Sequence, residues 1–367
     1  MNIRISKSKL LNTLNKAERI VGKNPNLPIL SCVLFEISNQ ELILKSTNLD
    51  IGFIGKIKIN SEQDFKIAVE GFLISQFLNN LPNSDDEIEM ELDQNLLKIK
   101  TKHTSTQIKT QNYEDFPPIP EIKSSKSVKI NSEYFVEGLK SVWYSSSVSN
   151  IKPELSSVLI YAEGEDLFFV ATDSYRLAEK KLKIAKIEDF ENILIPYRNV
   201  VEIIKIIEEL KEEIEIIFEQ DQIAIKTDKI YLVSRIVNGS FPDYKQILPK
   251  EYKTKITVLK QDFIQQLKIA NVFTDKFNQV TLGADAKTSK LMAFSQNQEK
   301  GDSTNEINIK IEGENIKANF NQKYIVDCFN SINSDSLVLE FNENNKPLVI
   351  RGLKDVTFSY LVMPLNK

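Results

Sequence analysis

The sequence predicts an α+β chain of three tandem modules, each with two helices packed on antiparallel sheet, and three observations carry that prediction. First, the opening segment occurs three times. Ile3, Ile5, Leu10, Leu14 and Ala17 return as Val128, Ile130, Phe135, Leu139 and Val142, and again as Ile256, Val258, Phe263, Leu267 and Ala270. One register shift of 125 residues carries the first set onto the second, and one of 253 carries it onto the third. A repeat of that length is a whole domain and not a solenoid unit. Second, apolar and polar residues alternate over many short stretches, the period of half-buried strands. Third, two segments in each copy change to three- and four-residue spacing, the period of an amphipathic helix.

The elements follow in order. A short strand at Ile3 and Ile5 leads into a helix whose apolar stripe is Leu10, Leu11, Leu14, Ala17 and Val21. Ser6, and Asn131 in the second copy, stand where an N-cap falls. Alternating stretches at 33–37, 42–45 and 54–59 predict three strands. A further strand at 65–69 feeds a helix over 71–81, which Pro82 ends. Its counterparts are 193–196 followed by a helix over 197–211, and 316–320 followed by a helix over 322–332. Strands at 88–92 and 96–100 complete a module made of two similar halves.

Other segments keep the same register. Leu30-Ser31-Cys32-Val33-Leu34 matches Leu155-Ser156-Ser157-Val158-Leu159, Thr47 matches Thr172, and Phe116-Pro117 matches Phe241-Pro242. The third copy drifts by a few residues between Thr281 and Asp302. Pro, Ser and Lys interrupt the alternation near 120–127 and 249–255, which sets module limits at 1–122, 123–250 and 251–367.

Composition narrows the function. Apolar content of 41% and charged content of 27% describe a chain that folds in water, and a net charge of −4 gives no global hint of a polyanionic partner. Cys32 and Cys328 form neither a disulfide framework nor a metal spacing. The N-terminus lacks an apolar signal core and no stretch reaches membrane-span length, so a cytoplasmic protein without membrane contact is expected. His103 is the only histidine, which removes paired-histidine relays and His-ligated metals. Neither a Gly-Lys-Ser/Thr phosphate loop nor a dinucleotide fingerprint is present. An enzyme is not expected, nor any cofactor or metal.

Charge distribution is more telling than its sum. The first helix carries Lys7, Lys9, Lys16, Arg19 and Lys23 against Glu18 alone, and Lys140, Arg198, Lys205, Lys268 and Lys323 sit on other helices. Acids concentrate on strands instead, as in Asp85-Asp86-Glu87-Ile88-Glu89-Met90-Glu91 and Glu212-Glu213-Ile214-Glu215. Such a chain can hold a polyanion against its helices and repel it elsewhere. Glu133, Glu137, Glu202, Glu208 and Glu209 weaken that pattern in the second copy, so charge alone leaves open a solvated surface.

Four motifs carry a family likeness. Asn26-Leu27-Pro28-Ile29-Leu30, Ala171-Thr172-Asp173-Ser174-Tyr175-Arg176-Leu177-Ala178, Phe241-Pro242-Asp243-Tyr244 with Leu248-Pro249, and Val362-Met363-Pro364-Leu365 resemble the bacterial DNA polymerase III beta subunit, the DNA sliding clamp, over the whole chain. The resemblance implies a head-to-tail homodimer whose six domains close into a ring around duplex DNA of any sequence. It implies a polymerase tether, with the polymerase III alpha subunit, the clamp-loader delta subunit, and other polymerases and repair proteins as peptide-bearing partners. DNA-facing cations would be Lys9, Lys16, Arg19, Lys23, Lys140, Arg198, Lys205 and Lys268. The peptide pocket would use Leu155, Thr172, Tyr175, Arg176, Leu177, Pro242, Ile247, Asn321, Tyr324, Val362, Met363, Pro364 and Leu365. The dimer contact would set Thr106 and Ile108 against Val272 and Phe273.

Some positions depart from the family pattern. Tyr175 stands where many members carry His, and Gln246 where Arg is frequent. Asn24 occupies a position that is basic in some members, with Lys23 beside it. Thr106 is a small anchor, and the acidic cluster near Glu299 and Asp302 is interrupted by Lys300, so a dimer that dissociates more readily is expected. The rival expectation is a tandem-module peptide scaffold that never encircles DNA.

Overall fold

The computed structural model gives the three modules one order of elements, with one extra strand in the third. It describes all residues except 1, 62–63, 83, 85, 94, 125, 185–191, 250, 344 and 366–367. Met1, Asp85, Lys250 and Lys367, named above in the acidic run and at module limits, therefore lie outside the described residues.

The first module runs β1 (Asn2–Ser6), α1 (Lys7–Glu18), β2 (Cys32–Ser38), β3 (Glu41–Thr47), β4 (Ile51–Lys58), β5 (Phe65–Glu70), α2 (Gly71–Asn80), β6 (Glu87–Asp93), β7 (Leu96–Lys100) and β8 (Ser105–Gln111). The second runs β9 (Ser127–Asn131), α3 (Ser132–Val142), β10 (Ser157–Glu163), β11 (Asp166–Thr172), β12 (Arg176–Lys183), β13 (Ile193–Pro196), α4 (Tyr197–Ile207), β14 (Glu213–Glu219), β15 (Gln222–Lys226) and β16 (Ile230–Arg235). The third runs β17 (Thr254–Leu259), α5 (Lys260–Asn271), β18 (Gln279–Asp285), β19 (Lys290–Asn297), β20 (Gly301–Asn308), β21 (Lys310–Gly313), β22 (Ile316–Asn321), α6 (Gln322–Asp327), β23 (Ser336–Phe341), β24 (Leu348–Gly352) and β25 (Phe358–Val362).

Caps set the helix starts. The Ser6 hydroxyl accepts from Lys9 N at 3.4 Å, the Asn131 amide oxygen from Glu133 N at 2.8 Å, and the Asn321 amide oxygen from Lys323 N at 3.0 Å. Two expected helices are shorter than their periodicity suggested. The helix from 197 stops at Ile207, where Leu210 N bonds Ile207 O and Lys211 takes a positive φ of 48°. The helix from 322 stops at Asp327 and tightens into a 3-10 turn at Phe329–Ser331, which seats Phe329 edge-on to Phe263 at 5.8 Å.

The repeat marks the core. Of the fifteen positions that define it, fourteen are buried, and only Val128, on the sheet-end strand β9, is half-buried. Each buried Leu, Ile or Phe contributes about 2 kcal/mol of transfer free energy. The helices lie close on their sheets. A Cβ on Gly55 of β4 would stand 2.4 Å from the Thr13 methyl of α1, and one on Gly138 of α3 would stand 2.3 Å from the Phe169 ring.

The chain divides into two compact units, Met1–Glu133 with Arg198–Ile236, and Tyr134–Tyr197 with Val237–Lys367. The second module thus contributes to both. Strand pairing gives the reason. In the first unit a twelve-stranded antiparallel sheet has the order β1-β6-β7-β8-β5-β2-β3-β4-β16-β15-β14-β9, so β4 of module one pairs with β16 of module two. The second unit holds the order β13-β10-β11-β12-β25-β24-β23-β17-β21, where β12 of module two pairs with β25 of module three, and a separate sheet β20-β19-β18-β22.

These junctions are copies of each other. Ser234 faces Ile51 and Ile230 faces Gly55; likewise Val362 faces Arg176 and Lys180 faces Phe358. Both run antiparallel over five registered pairs, and each joins the fourth strand of one module to the last strand of the next.

Candidate functional site

The turn between β11 and β12 organises the expected peptide pocket. The Thr172 hydroxyl donates to Arg176 O at 2.7 Å and accepts from Ser174 N at 3.2 Å. The Asp173 carboxylate accepts from Tyr175 N at 2.9 Å and Arg176 N at 3.0 Å, with Ser174 at φ 77°. The same bonds occur one module earlier. Thr47 donates to Ile51 O at 2.9 Å, Asn48 accepts from Asp50 N and Ile51 N, and Leu49 takes φ 79°. The Thr-Asp pair of the sequence motif therefore builds a turn, and its yield is an exposed Tyr175 above an anchored Arg176.

Arg176 spends its guanidinium inside the protein. Its Nε donates to Asp173 at 3.0 Å, one Nη donates to Asp327 of α6, and the other donates to Tyr144 O at 2.6 Å. The group also lies over the Tyr324 ring, 4.6 Å from its centroid. Burial opposes its charge, but Tyr360, Asp173 and Asp327 outweigh that and hold its pKa above the usual arginine value. Arg176 is thus a tie between modules two and three. Tyr144 and Asp327, its partners here, had no sequence signal beyond polar groups on otherwise apolar helix faces.

An apolar floor lies beside this tie. Leu177, Leu361, Leu159, Val170, Leu194, Val349 and Tyr244 pack together, with Met363, Phe241 and Leu248 against them. Leu177 and Val362 are wholly buried and Leu155 and Thr172 nearly so. Pro242, Tyr175 and Ile247 are exposed, while Met363, Pro364, Leu365, Tyr324 and Asn321 are half-buried. Asn321 serves as the α6 cap. The terminal segment is pinned by Met363 N to Tyr175 O and by Leu365 N to Asn319 O, both at 2.8 Å.

The 241–248 loop has its own anchor, which the sequence did not disclose. Tyr244 OH donates to Glu179 of β12 and shares a hydrogen bond with Tyr161 OH at 2.7 Å. Burial and the Glu179 charge push the Tyr244 phenol far above its ordinary pKa, so it stays a donor. Gln246, at the position where Arg is frequent, donates to Asp243 at 2.7 Å. The site is an apolar step with polar edges.

The expected DNA-facing cations divide unevenly. Lys9, Arg19, Lys23, Lys140, Arg198, Lys205 and Lys268 are exposed, with Lys205 paired to Glu202 at 2.9 Å. Lys16 differs from them: it is buried, its ammonium donates to Asn12 Oδ1 at 2.8 Å, and Glu209 lies at 3.5 Å. Lys7 is likewise consumed by Leu81 O and Pro82 O at 3.0 and 2.8 Å. Acid alternation behaves as expected on β6 and β14, where Ile88, Met90 and Ile214 are buried and Glu87 and Glu213 exposed.

Of the expected dimer residues, Val272 is exposed and Phe273 half-buried at the end of α5. Ile108 lies opposite Leu97 and is buried in its own module, with Thr106 half-buried beside it. What β8 leaves open is backbone, because β5 pairs with it only at Gln111 and Thr110. A cleft of about 680 Å³ lies in the third module between Asp275, Thr281, Phe294 and Asn297, and includes none of the expected peptide residues.

Comparison with known proteins matches this geometry along the whole chain. Family models described as the N-terminal, central and C-terminal domains of the DNA polymerase III beta subunit match residues 1–120, 129–243 and 245–366. The beta sliding clamp of Buchnera aphidicola subsp. Acyrthosiphon pisum is 27% identical over 370 residues, covering all of both chains. That of Staphylococcus epidermidis is 23% identical over 375 residues, covering 100% of this chain and 99% of the relative. Among solved structures, the Thermotoga maritima DNA polymerase III beta subunit superposes with TM-score 0.94 at 23% identity, and the Bacillus subtilis sliding clamp with 0.93 at 23%. Each covers 100% of this chain and 99% of its own.

Proposed function

Because the chain belongs to the DNA polymerase III beta-subunit family over its whole length, we propose that it acts as a closed homodimeric ring that threads duplex DNA and keeps the polymerase at its template. It is a sliding clamp, a processivity subunit and not an enzyme. One observation carries the ring. Two junctions join the fourth strand of one module to the last strand of the next, and the corresponding strands β20 in the last module and β8 in the first lack such a partner among the described residues, β20 pairing only with β19 and β8 meeting β5 only at its end. A head-to-tail contact between two copies would give both strands a partner twice over.

The exposed helix cations supply diffuse, phosphate-directed contact without base reading, so a ring can slide. Tethering converts each polymerase dissociation into an intramolecular re-binding at high effective concentration. The step formed by Tyr175, Pro242, Ile247, Met363 and Pro364 takes apolar side chains from linear peptides on the polymerase alpha subunit, the loader delta subunit, and other polymerases and repair proteins of the cytoplasm. The test is topological. Loaded protein should remain on nicked circular DNA and leave once the circle is linearised; equal loss from both forms would leave a peptide scaffold as the better account.

A further inference from the structure

The turn that presents Tyr175 has a twin at the first junction, and the two differ in what they display. Thr47 and Asn48 make there the bonds that Thr172 and Asp173 make at the second. The neighbouring strand is held alike as well: Arg235 N donates to Asp50 O at 2.8 Å, as Met363 N does to Tyr175 O. Asp50 therefore stands in the place of Tyr175, and Arg235 in that of Met363.

Leu49 carries the informative difference. It lies at φ 79°, where a residue with a Cβ is disfavoured, and it is 43% exposed. Ser174 holds the same point of the second turn, at φ 77°. Asparagine or glycine would relieve both the strain and the exposure of a leucine. Leu27 is 41% exposed on the adjoining loop, which packs against this turn so closely that a Cβ on Gly22 would stand 3.2 Å from Asn48. The Arg235 guanidinium is exposed and, among the described residues, joins no ion pair.

The depth of this junction is filled from within. Gly52 replaces Leu177, and a Cβ on it would meet the Ile119 side chain at 2.8 Å. The segment that carries Ile119 is pinned by Tyr231 OH, which accepts from Ile122 N at 2.8 Å and donates to Pro120 O at 3.2 Å. What stays open is the rim, two leucines beside one cation.

We propose that this rim is a second peptide-docking surface, whose partner is an extended segment with apolar side chains over Leu27 and Leu49 and an acidic one at Arg235. Apolar contact gives a reason for a leucine held in a strained, solvent-facing position. The arginine turns away a segment that needs the apolar contact Met363 offers, so the two surfaces select different partners. This one stands apart from both the ring and the Tyr175 step, and its failure leaves them in place.

Random peptides displayed on phage, selected on the full chain carrying Ile247→Glu and Met363→Ala to silence the Tyr175 step, supply the probe. The expected result is an enriched set in which one acid accompanies two apolar residues. A synthetic member of that set should bind the wild-type chain, and more weakly as salt is raised. Leu49→Asn and Arg235→Glu should each weaken it by about tenfold or more, and Arg235→Glu should also abolish the salt dependence. Leu49→Asn should melt no lower than wild type, since it removes strain. Selection that yields no such set, or a peptide indifferent to both substitutions, overturns the site. A Leu49→Asn chain that melts well below wild type assigns the leucine to the fold and overturns it too.

Discussion

Arg176 and Asp327, 151 residues apart in sequence, form an ion pair that joins β12 of the second module to the last residue of α6 in the third. With Tyr324 beneath and Tyr144 O alongside, the arginine side chain is only 11% exposed. Removing one member of such a pair strands the other. Arg176→Ala should cost roughly 3 kcal/mol of unfolding free energy, and Arg176→Met less, since its stem still covers Tyr324. Urea unfolding checks this, and a loss under about 0.5 kcal/mol for Arg176→Ala would show the tie to be ornamental.

The peptide step separates contact from support. Ile247→Glu and Met363→Ala should weaken a Leu- and Phe-bearing peptide by tenfold or more, about 1.4 kcal/mol, with little change in stability. Thr172→Ala should instead loosen the turn that presents Tyr175, lowering stability and affinity together. Titration calorimetry beside thermal melts distinguishes the two patterns. Unaltered affinity in Ile247→Glu would remove the 241–248 loop from the site.

Sequence periodicity captured what is local. The α2 start at 71, the caps at Ser6 and Asn131, and the buried stripe of α1 all follow from side chains within a few residues of one another. Long-range pairing was not legible. Nothing in Ile51 or Ile230 announces that β4 joins β16, because edge choice depends on which strands the rest of the fold leaves open. Lys16 shows the same limit for the site: it reads as one more cation on a basic helix, and only the position of Glu209 and Asn12 takes it out of solvent. Nothing in the sequence around Ile108 announces that Leu97 lies opposite it.

That distinction is testable on DNA. Lys9→Glu with Lys23→Glu should slow loading and shorten retention on circular DNA, and each lost phosphate contact should reduce the salt slope of binding by about 0.9. Lys16→Gln should leave the slope unchanged and lower stability by about 1 kcal/mol, since its bonds are internal. A reduced salt slope in Lys16→Gln would return that residue to the DNA-facing set.

Tight packing gives an opposite-signed prediction at Gly138. Alanine is the better helix former, by about 1 kcal/mol in a helix interior. In α3, however, the added methyl would meet the Phe169 ring at 2.3 Å, and Phe169 is itself wedged edge-on to Phe135 at 5.8 Å. Overpacking should win, so that Gly138→Ala destabilises by about 1–3 kcal/mol. Pairing it with Phe169→Leu should return part of the loss, and an alanine variant as stable as wild type would mean that α3 can shift outward freely.

Acid should expose one further contribution. Glu36 on β2 sits between Lys45 at 2.6 Å and Lys66 at 2.9 Å. Burial pushes its pKa up, but the two ammonium groups outweigh that and hold it below the ordinary carboxylate value. A group with a depressed folded pKa binds its proton more readily unfolded than folded. Its contribution is therefore complete above the unfolded pKa of about 4.3 and is lost as pH falls through the folded value. Glu36→Gln cannot titrate, so the wild-type advantage in urea unfolding should stay constant from about pH 7 to 5 and shrink below about pH 4. An advantage that persists undiminished at about pH 3 would mean that the lysines do not set the charge of Glu36.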